Sequence, residues 1–398
     1  MKRSTDRVLT SHAGNLPRPD DLWSMLLARD SGQPHDPEAI SHRVRAAVAE
    51  TVREQAEVGI DIVNDGEQSK RSWQTYVVSR LSGLEQRPAR PEDGPVGQSI
   101  TAREAKEFPG YFSRQPGAGG GPPLSSALRA GVAGGLSQPV FCVAPVSYIG
   151  QAQTQADIDN LKAAVQGVKV EEAVLTAIAP GTIEHWLRNR HYKSDEEFLF
   201  AIADAMHEEY RAITDAGILL QVDDPDLPDA WQIHTEMTVP EYRRFAALRV
   251  EALNHALRDI PAEMVRLHVC WGSIHHPHKN DIPLRDIVDI ILKVNAGVYS
   301  IEAANPRHDH EWQVWQDVKL PAGKALMPGV VGHYCDFIEH PELIAQRLGR
   351  YAGVVGRENV IAGTDCGLGG RVGHPKIVWA KFAAMAEGAR IATKQLWR

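Results

Sequence analysis

The chain has 398 residues, of which 43% are hydrophobic and 24% are charged, and its formal net charge is −8. It contains no block of like charges and no apolar stretch of about 18 residues, which argues against a nucleic-acid-binding, membrane-surface or membrane-spanning protein. Its four cysteines are too few for a disulfide framework in so long a chain, so we predict thiols in a cytoplasmic protein.

The predicted secondary structure alternates between helices and short apolar strands. An amphipathic helix is predicted over residues 38–58, with Gly59 as its stop signal, and a strand follows that ends near Asn64. The same unit returns with a helix over 195–215 and an apolar run at 216–226. Further apolar runs occur at 6–14, 171–181, 264–272, 297–305, 324–332 and 358–367. Eight buried parallel strands that alternate with helices predict a single (β/α)8 TIM barrel over residues 1–398.

Residues 86–137 interrupt this alternation. They contain the Pro/Gly-rich stretches "RPARPEDGPVG" and "RQPGAGGGPPLSS", so we interpret the segment as an excursion inserted within the barrel rather than as a second domain. A surface decoration, a lid and an oligomer contact all fit such a segment. The run "QPVFCVAPVSY" that follows predicts an extra strand or hairpin.

Polar residues end nearly every predicted strand, at the rim that carries the active site in this fold. His268 and Cys270 are two positions apart in a strand and therefore point to the same side. Imidazole and thiolate are both zinc ligands, although a hydrogen-bonded core histidine beside an inert thiol would explain the pair as well. Glu302 and Cys366 end later strands, which makes these four residues the candidate Zn²⁺ ligands. Strand alternation leaves the histidines of the loop at 275–278 outside this set.

The motifs around these residues resemble the cobalamin-independent methionine synthase family, in its C-terminal catalytic barrel. The His-x-Cys pair, the later glutamate and the cysteine of "DCGL" follow that family's order of zinc ligands. The likeness continues in "TSHAGNLPRP", "NDGEQ", "LQVDDPDL" and "PGVVGHYCDFIEHPELIAQRL". The resemblance implies zinc-dependent methyl transfer from a methyltetrahydrofolate-type donor to the thiol of homocysteine. Full-length members have a second, N-terminal barrel, so this chain resembles a single-barrel relative.

The resemblance also implies roles for residues at matching positions. Glu67 and Asp223 match the carboxylates that meet the amino group of homocysteine. Trp186 matches the aromatic platform for the pterin ring, and Asp229 matches an acidic residue that contacts the folate. Taken as residues alone, Glu67 could equally form a salt bridge with Arg71, and Trp186 could be packed in the core.

Three departures from the family pattern concern the substrates. Asn15 in "AGN" stands where the family has the serine of an Ile-Gly-Ser turn that holds the amino-acid carboxylate, and Asp224 stands where the family usually has Glu. The stretch "GGLSQPV" supplies no Arg-Cys pair for the folate. His333 lies close to the family's proposed acid without matching it squarely. We predict His333 as the general acid because imidazole titrates near neutral pH.

Two other functions remain open at this stage. The epoxyalkane–coenzyme M transferases, a related single-barrel branch, use a zinc-bound thiolate to open an epoxide, and Arg18, Arg71 or Arg371 could then bind the sulfonate of coenzyme M. A non-catalytic barrel in which the metal only stabilises the fold is an alternative of another class. The sequence leaves a homo-oligomer open as well.

Overall fold

The computed structural model of the protein describes residues 1–93, 101–112, 138–272 and 276–398. The strands in these ranges are β1 Leu9–Thr10, β2 Ile62–Asn64, β3 Leu84–Gln86, β4 Val140–Cys142, β5 Glu172–Ile178, β6 Arg188–Asn189, β7 Leu219–Asp223, β8 Val265–Val269, β9 Val298–Ile301, β10 Ala325–Val331 and β11 Ile361–Thr364. Eight of them pair in parallel in the order β1-β11-β10-β9-β8-β7-β5-β2. The amide of Asp61 donates to the carbonyl of Thr10 at 3.2 Å, which brings the two ends of the sheet together. The fold is a nearly closed (β/α)8 barrel, and its eight strands are the eight predicted from the sequence.

Helices cover the outside of the barrel between its strands. They are α1 Asp20–Asp30, α2 Pro37–Glu57, α3 Trp73–Arg80, α4 Ala102–Glu107, α5 Pro109–Phe112, α6 Gln151–Val165, α7 Pro180–Trp186, α8 Asp195–Asp215, α9 Asp226–Ile233, α10 Val239–Ala256, α11 Val288–Ile291, α12 Val314–Asp317, α13 Pro341–Val355 and α14 Pro375–Leu396. No helix in the described part of the chain combines the length and apolar character needed to cross a bilayer.

The two predicted helices have the local signals expected of them. The side chain of Asp36 accepts hydrogen bonds from the first amides of α2, and the hydroxyl of Ser194 accepts one from the Glu197 amide in α8. Gly59 and Gly217 follow these helices with φ of +92° and +78°, in the left-handed region that glycine adopts without strain. Each helix can therefore turn sharply into the next barrel strand.

The interior of the barrel is layered, because alternate residues of each strand point inward. At the amino-terminal end of the strands the inward side chains form an apolar cluster of Leu9, Ile62, Val174, Leu219, Val298, Ala325, Met327 and Ile361. The next layer up contains the buried polar residues Gln221, Arg266 and Ser300. Asp223 and His268 lie one layer higher, side by side in the register of β7 and β8. The inward-facing side chains are therefore apolar at the amino-terminal ends of the strands and polar toward their carboxyl ends.

The predicted extra strand after the insertion is present, in a second and smaller sheet. β4 pairs antiparallel with β3 and parallel with β6. The described part of the insertion contains α4, whose buried Glu104 accepts a hydrogen bond from the amide of Asn280 at 2.7 Å, in the loop that follows β8. Residues 94–100, 113–137 and 273–275, which include most of the predicted excursion and His275, lie outside the described residues.

Candidate active site

Three of the four predicted zinc ligands come together at the carboxyl end of the barrel. His268 lies in β8, Cys270 directly follows β8, and Cys366 lies two residues beyond β11. The two sulfur atoms are 3.9 Å apart, and the ligand atoms of all three residues lie within 4.8 Å of one another. Nε2 of His268 is buried and lacks a nitrogen or oxygen partner among the described residues. One imidazole and two thiols at this spacing form a donor set that fits a Zn²⁺ ion.

The electrostatics of this group favour a thiolate. A hydrogen bond from the Cys270 thiol, assisted by the charge of Arg371, holds the pKa of Cys366 well below its usual value despite burial. Burial acts to lower the pKa of His268, but the neighbouring Cys366 outweighs burial and raises it. A thiol that ionises readily is a better metal ligand, because only the thiolate binds.

Glu302, the fourth predicted ligand, lies in an adjoining group of buried side chains. Its ligand atoms and those of His333 and Asp365 are within 4.8 Å of one another. Oε2 of Glu302 accepts a hydrogen bond from the Trp271 amide at 2.7 Å, and Oε1 accepts one from Nδ2 of Asn305 at 2.9 Å. Because Trp271 follows Cys270, the carboxylate is tied to the backbone beside the thiols, and its role as a zinc ligand stays a prediction.

His333, the predicted general acid, faces the same group. Its side chain is buried, and Nδ1 has no hydrogen-bond partner among the described residues. Burial lowers the pKa of His333 below its usual value. The structure therefore brings His333 to one predicted metal ligand, Glu302, while its part in proton transfer stays a prediction.

Asp365 is a member of this group that the sequence analysis did not single out. Its Oδ1 accepts hydrogen bonds from the amides of Ala303 and Ala304 at 2.8 and 2.7 Å, and its Oδ2 is buried without a partner among the described residues. Burial and the charge of Glu302 raise the pKa of Asp365 to about 8. The only sequence signal for it is its position, next to Cys366 at the end of a barrel strand.

Gly329 makes room for Asp365, and its substitution tests that packing. A Cβ added at Gly329 would lie 1.9 Å from Oδ1 of Asp365, so the carboxylate would have to move. We expect Gly329→Ala to lower the free energy of unfolding by about 1–3 kcal/mol, as overpacking of a core does. Urea unfolding of the metal-free protein measures this. The control is Gly349→Ala in α13, where an added Cβ meets nothing within 4 Å and the change should be neutral or slightly stabilising. Equal effects of the two substitutions would contradict the prediction.

Asn15 and Glu67, both predicted to bind substrate, are in contact. Nδ2 of Asn15 donates to Oε2 of Glu67 at 3.3 Å, and the hydroxyl of Thr176 donates to Oε1 at 3.2 Å. The carboxylate packs against Gly14, where an added Cβ would lie 2.7 Å from Oε1. Arg71, the alternative partner of Glu67, pairs with Asp30 at 3.0 Å instead. The Glu67 carboxylate is thus oriented by neutral groups and makes no salt bridge with Arg71.

Asp223, the other predicted amine-binding carboxylate, lies near Glu67 and near the group formed by His268, Cys270 and Cys366. The register of β7 and β8 places it beside His268, and its Oδ1 accepts a hydrogen bond from Nε2 of Gln221 at 2.6 Å. Burial raises the pKa of Asp223 to about 7; the nearby His268 opposes this, and the charges of Glu67 and Cys366 add to it. The charges of Glu67 and Cys366 therefore both act on Asp223, which lies beside His268 in the sheet.

The two residues predicted to contact a folate lie on the adjoining part of the rim. Trp186, half-buried at the end of α7, donates from Nε1 to Oδ2 of Asp226 at 2.9 Å and packs edge-on against Trp73 at 6.0 Å. Asp229 is buried in α9, and an added Cβ on Gly272 would lie 3.1 Å from its Oδ1. Burial and the surrounding carboxylates raise the pKa of Asp229 well above its usual value. Whether either residue contacts a pterin stays a prediction.

The loop after Cys270 belongs to a separate network of buried hydrogen bonds. Asp281 accepts from His278 at 2.8 Å and from His308 at 3.1 Å. The ring of His308 stacks on Trp271 with centroids 4.2 Å apart. Burial would lower the pKa of His308, but the hydrogen bonds to Asp281 and Glu311 raise it to about 10. His278 and Asp281 of this loop are therefore linked through His308 to the tryptophan whose amide holds Glu302, and the exclusion of the loop's histidines from the ligand set stays a prediction.

Comparison with known proteins agrees with this architecture. Residues 137–390 match the family described as "Cobalamin-independent synthase, Catalytic domain". The methionine synthase of Saccharolobus solfataricus is 23% identical over 392 residues, which cover 98% of this chain and 96% of that protein. The methionine synthase of Sulfolobus acidocaldarius is 24% identical over 390 residues, with coverage of 97% and 93%.

Among solved structures, a B12-independent methionine synthase from Shewanella sp. W3-18-1 in complex with selenomethionine has the same fold. Its TM-score is 0.69 at 20% identity, and the match covers 98% of this chain and 99% of that one. The family match alone spans more than half of the chain and includes the strands that carry His268, Cys270, Glu302 and Cys366. This protein therefore belongs to the cobalamin-independent methionine synthase family.

Proposed function

We propose that this protein is a zinc-dependent enzyme that transfers a methyl group from a methyltetrahydrofolate-type donor to the thiol of homocysteine. The observation that carries the proposal is the cluster of His268, Cys270 and Cys366, beside which the register of β7 and β8 places the carboxylate of Asp223, with Glu67 as the second predicted carboxylate. A ligand that fills this site needs a positive group for the carboxylates and a soft atom for the metal site. Homocysteine has both, as an ammonium group and a thiol.

His268, Cys270 and Cys366, with Glu302 as the fourth ligand, would hold the Zn²⁺ ion. Bound there, the metal would lower the pKa of a substrate thiol so that it ionises near neutral pH. The donor set is soft, and Glu302 already satisfies both of its oxygens with protein donors. Among the residues that would hold the ion, Glu302 is the one whose carboxylate keeps protein hydrogen-bond donors of its own, so it would be the residue best able to leave room for a substrate thiol.

The carboxylates distinguish homocysteine from coenzyme M, which has a sulfonate and no ammonium group. Two half-buried carboxylates lower the affinity for a sulfonate and raise it for a cation. Of the arginines considered for a sulfonate, Arg71 is paired with Asp30, and Arg18 donates to the carbonyl of Glu67 at 2.6 Å. Arg371, the third of these arginines, donates from Nη1 to the carbonyl of Gly367 at 3.0 Å and its charge acts on Cys366, so the preference for an amino-acid thiol rests on the two carboxylates.

In the transfer step, a new carbon–sulfur bond forms as the carbon–nitrogen bond of the donor breaks. The donor nitrogen leaves with the bonding electrons and takes up a proton, and His333 is our candidate for supplying it. Trp186, with its indole anchored to Asp226, offers a flat surface for a pterin, and the nearby Asp229 offers a carboxyl group for its polar edge. The donor would then approach the thiol from the α7 and α9 side of the rim.

Replacement of the zinc by cobalt, followed by titration with thiols, tests the proposal. We expect homocysteine to change the thiolate-to-metal absorption, because its sulfur adds a ligand, and coenzyme M to have little effect at the same concentration. Ethanolamine, which has an ammonium group and no thiol, is the control and should leave the spectrum unchanged. A response to coenzyme M alone would favour epoxide opening, and no response to any thiol would favour a metal with a purely structural role.

A further inference from the structure

Arg266 lies inside the barrel, one layer below the candidate active site. Its side chain is 0% exposed. Nε donates to Oε1 of Gln221 at 2.6 Å, Nη1 donates to the hydroxyl of Ser11 at 2.7 Å, and Nη2 donates to the carbonyl of His12 at 2.9 Å. None of these acceptors is a carboxylate. Burying a guanidinium is costly, and an ion pair with a carboxylate would offset part of that cost. Asp223 lies on the neighbouring strand, yet Arg266 is held by neutral groups, so packing alone does not explain this arrangement.

Gln221 connects the guanidinium to Asp223. The register of β7 and β8 pairs Gln221 with Arg266 and, one layer up, Asp223 with His268. A guanidinium has only donors, so the amide oxygen of Gln221 must face Arg266. Its NH₂ group must then face the other way, where it donates to Oδ1 of Asp223 at 2.6 Å and to the carbonyl of Ala13 at 2.8 Å. Arg266 therefore fixes which end of the amide meets the carboxylate.

We infer that Arg266 and Gln221 are positioning residues that orient Asp223 to bind the ammonium group of an α-amino thiol. The inference rests on the proposed function, because it takes Asp223 to be an amine-binding carboxylate. Oδ1 is occupied by Gln221, so Oδ2 is the oxygen presented to the ligand. If the amide were free to flip, its oxygen would face Oδ1, and the repulsion would turn the carboxylate away from this orientation.

Binding of two related thiols to the zinc-loaded protein tests the inference. One is homocysteine, and the other is 4-sulfanylbutanoate, which has the same chain and carboxylate without the amino group. In titration calorimetry, we expect Arg266→Met and Gln221→Met to weaken homocysteine binding about tenfold or more, which is the effect of about one hydrogen bond to a charged group. The dissociation constant of 4-sulfanylbutanoate should change by less than about twofold. A purely structural role would change both ligands alike.

Ser11→Ala is the matched control, since Ser11 contacts Arg266 but lies off the path to Asp223. It should show no selectivity for the amino group. Arg266→Lys keeps the charge and is expected to recover part of the lost affinity. If Arg266→Met does not fold, Gln221→Met still decides the matter, because it leaves the contacts of Arg266 with Ser11 and His12 in place.

The two ligands also separate failure of this inference from failure of the proposed function. Equal losses for both thiols, or no loss for either, would overturn the positioning role while leaving homocysteine as the substrate. If the unaltered protein binds homocysteine no better than 4-sulfanylbutanoate, the amine-binding assignment is itself wrong, and the proposed function falls with it.

Discussion

Replacing Cys366 with serine is expected to weaken zinc binding by about 10² to 10³-fold. Structural zinc sites bind with roughly 10–16 kcal/mol, so one of four ligands is worth about 3–4 kcal/mol. A serine hydroxyl does not ionise near neutral pH and cannot replace a thiolate. Cys366 is also the thiol of the pair whose pKa is lowered, so its loss removes the more ionised sulfur. Metal analysis after dialysis against a chelator measures the effect, and zinc should fall from about one per chain to a small fraction.

The matched control is Cys335→Ser. Cys335 lies on the loop after β10, at the same end of the barrel, and belongs to neither group of metal-ligating side chains among the described residues. Its replacement should leave the zinc content unchanged. Full zinc occupancy in Cys366→Ser would show that the ligand set is wrong, whatever the activity of the variant.

Glu67→Gln is expected to weaken homocysteine binding by about 10²-fold while leaving the zinc content intact. Removing one charge of a partly buried ion pair costs about 2–5 kcal/mol, and Glu67 is one of two carboxylates available to the ammonium group. Glutamine has the same shape, and its one amide oxygen can still accept the hydrogen bond of Asn15 or of Thr176, while its NH₂ group can donate to the Thr176 hydroxyl or to Oδ1 of Asn15, so the site should keep its form. Titration calorimetry of the zinc-loaded protein measures the dissociation constant, and metal analysis checks the site.

Glu57→Gln, an exposed glutamate at the end of α2, is the control for the loss of one negative charge from the protein. It should bind homocysteine normally. Normal binding by Glu67→Gln would mean that the carboxylate does not meet the ammonium group. A parallel loss of zinc would mean that Glu67 supports the metal site rather than the substrate.

The fold could be predicted from the sequence because each barrel strand is a local signal. A buried parallel strand is apolar on both faces, and the eight runs stand out between helices with clear caps and glycine stops. The length of each strand could not be predicted as well from the sequence. β1 contains only Leu9 and Thr10, although its apolar run covers nine residues at 6–14, because hydrogen-bond pairing and not hydrophobicity decides where a strand ends.

The clustering of His268, Cys270 and Cys366 could be predicted for a similar reason, while their role as metal ligands stays a prediction. Alternation in β8 places His268 and Cys270 on one side, and the topology places Cys366 at the same rim. Glu302 was assigned to the same set, and the structure associates it most closely with His333 and Asp365. Distances between side chains on different strands depend on rotamers and on the stagger of the barrel, neither of which a linear pattern contains.

Asp365 and Arg266 show why other residues of the site were missed. An aspartate next to a predicted ligand gives no separate signal. Whether it faces the site depends on the space left by Gly329 on the neighbouring strand. A lone arginine within an apolar run predicts a residue at the edge or the surface of the protein, because charged side chains are seldom fully buried. Its burial is acceptable only because Gln221, Ser11 and His12 supply acceptors from two other strands and their loops.

The register of β7 and β8 also bears on how this barrel folds. If the two strands slipped by two residues, Asp223 would lie beside Arg266, and the slipped pairing would gain a direct ion pair that the native one lacks. The native pairing keeps these charges one layer apart and connects them through Gln221, which accepts from Arg266 and donates to Asp223. The slipped pairing is therefore a competing register that the folding chain has to avoid, and under the proposed function it would occupy the carboxylate that binds the ammonium group.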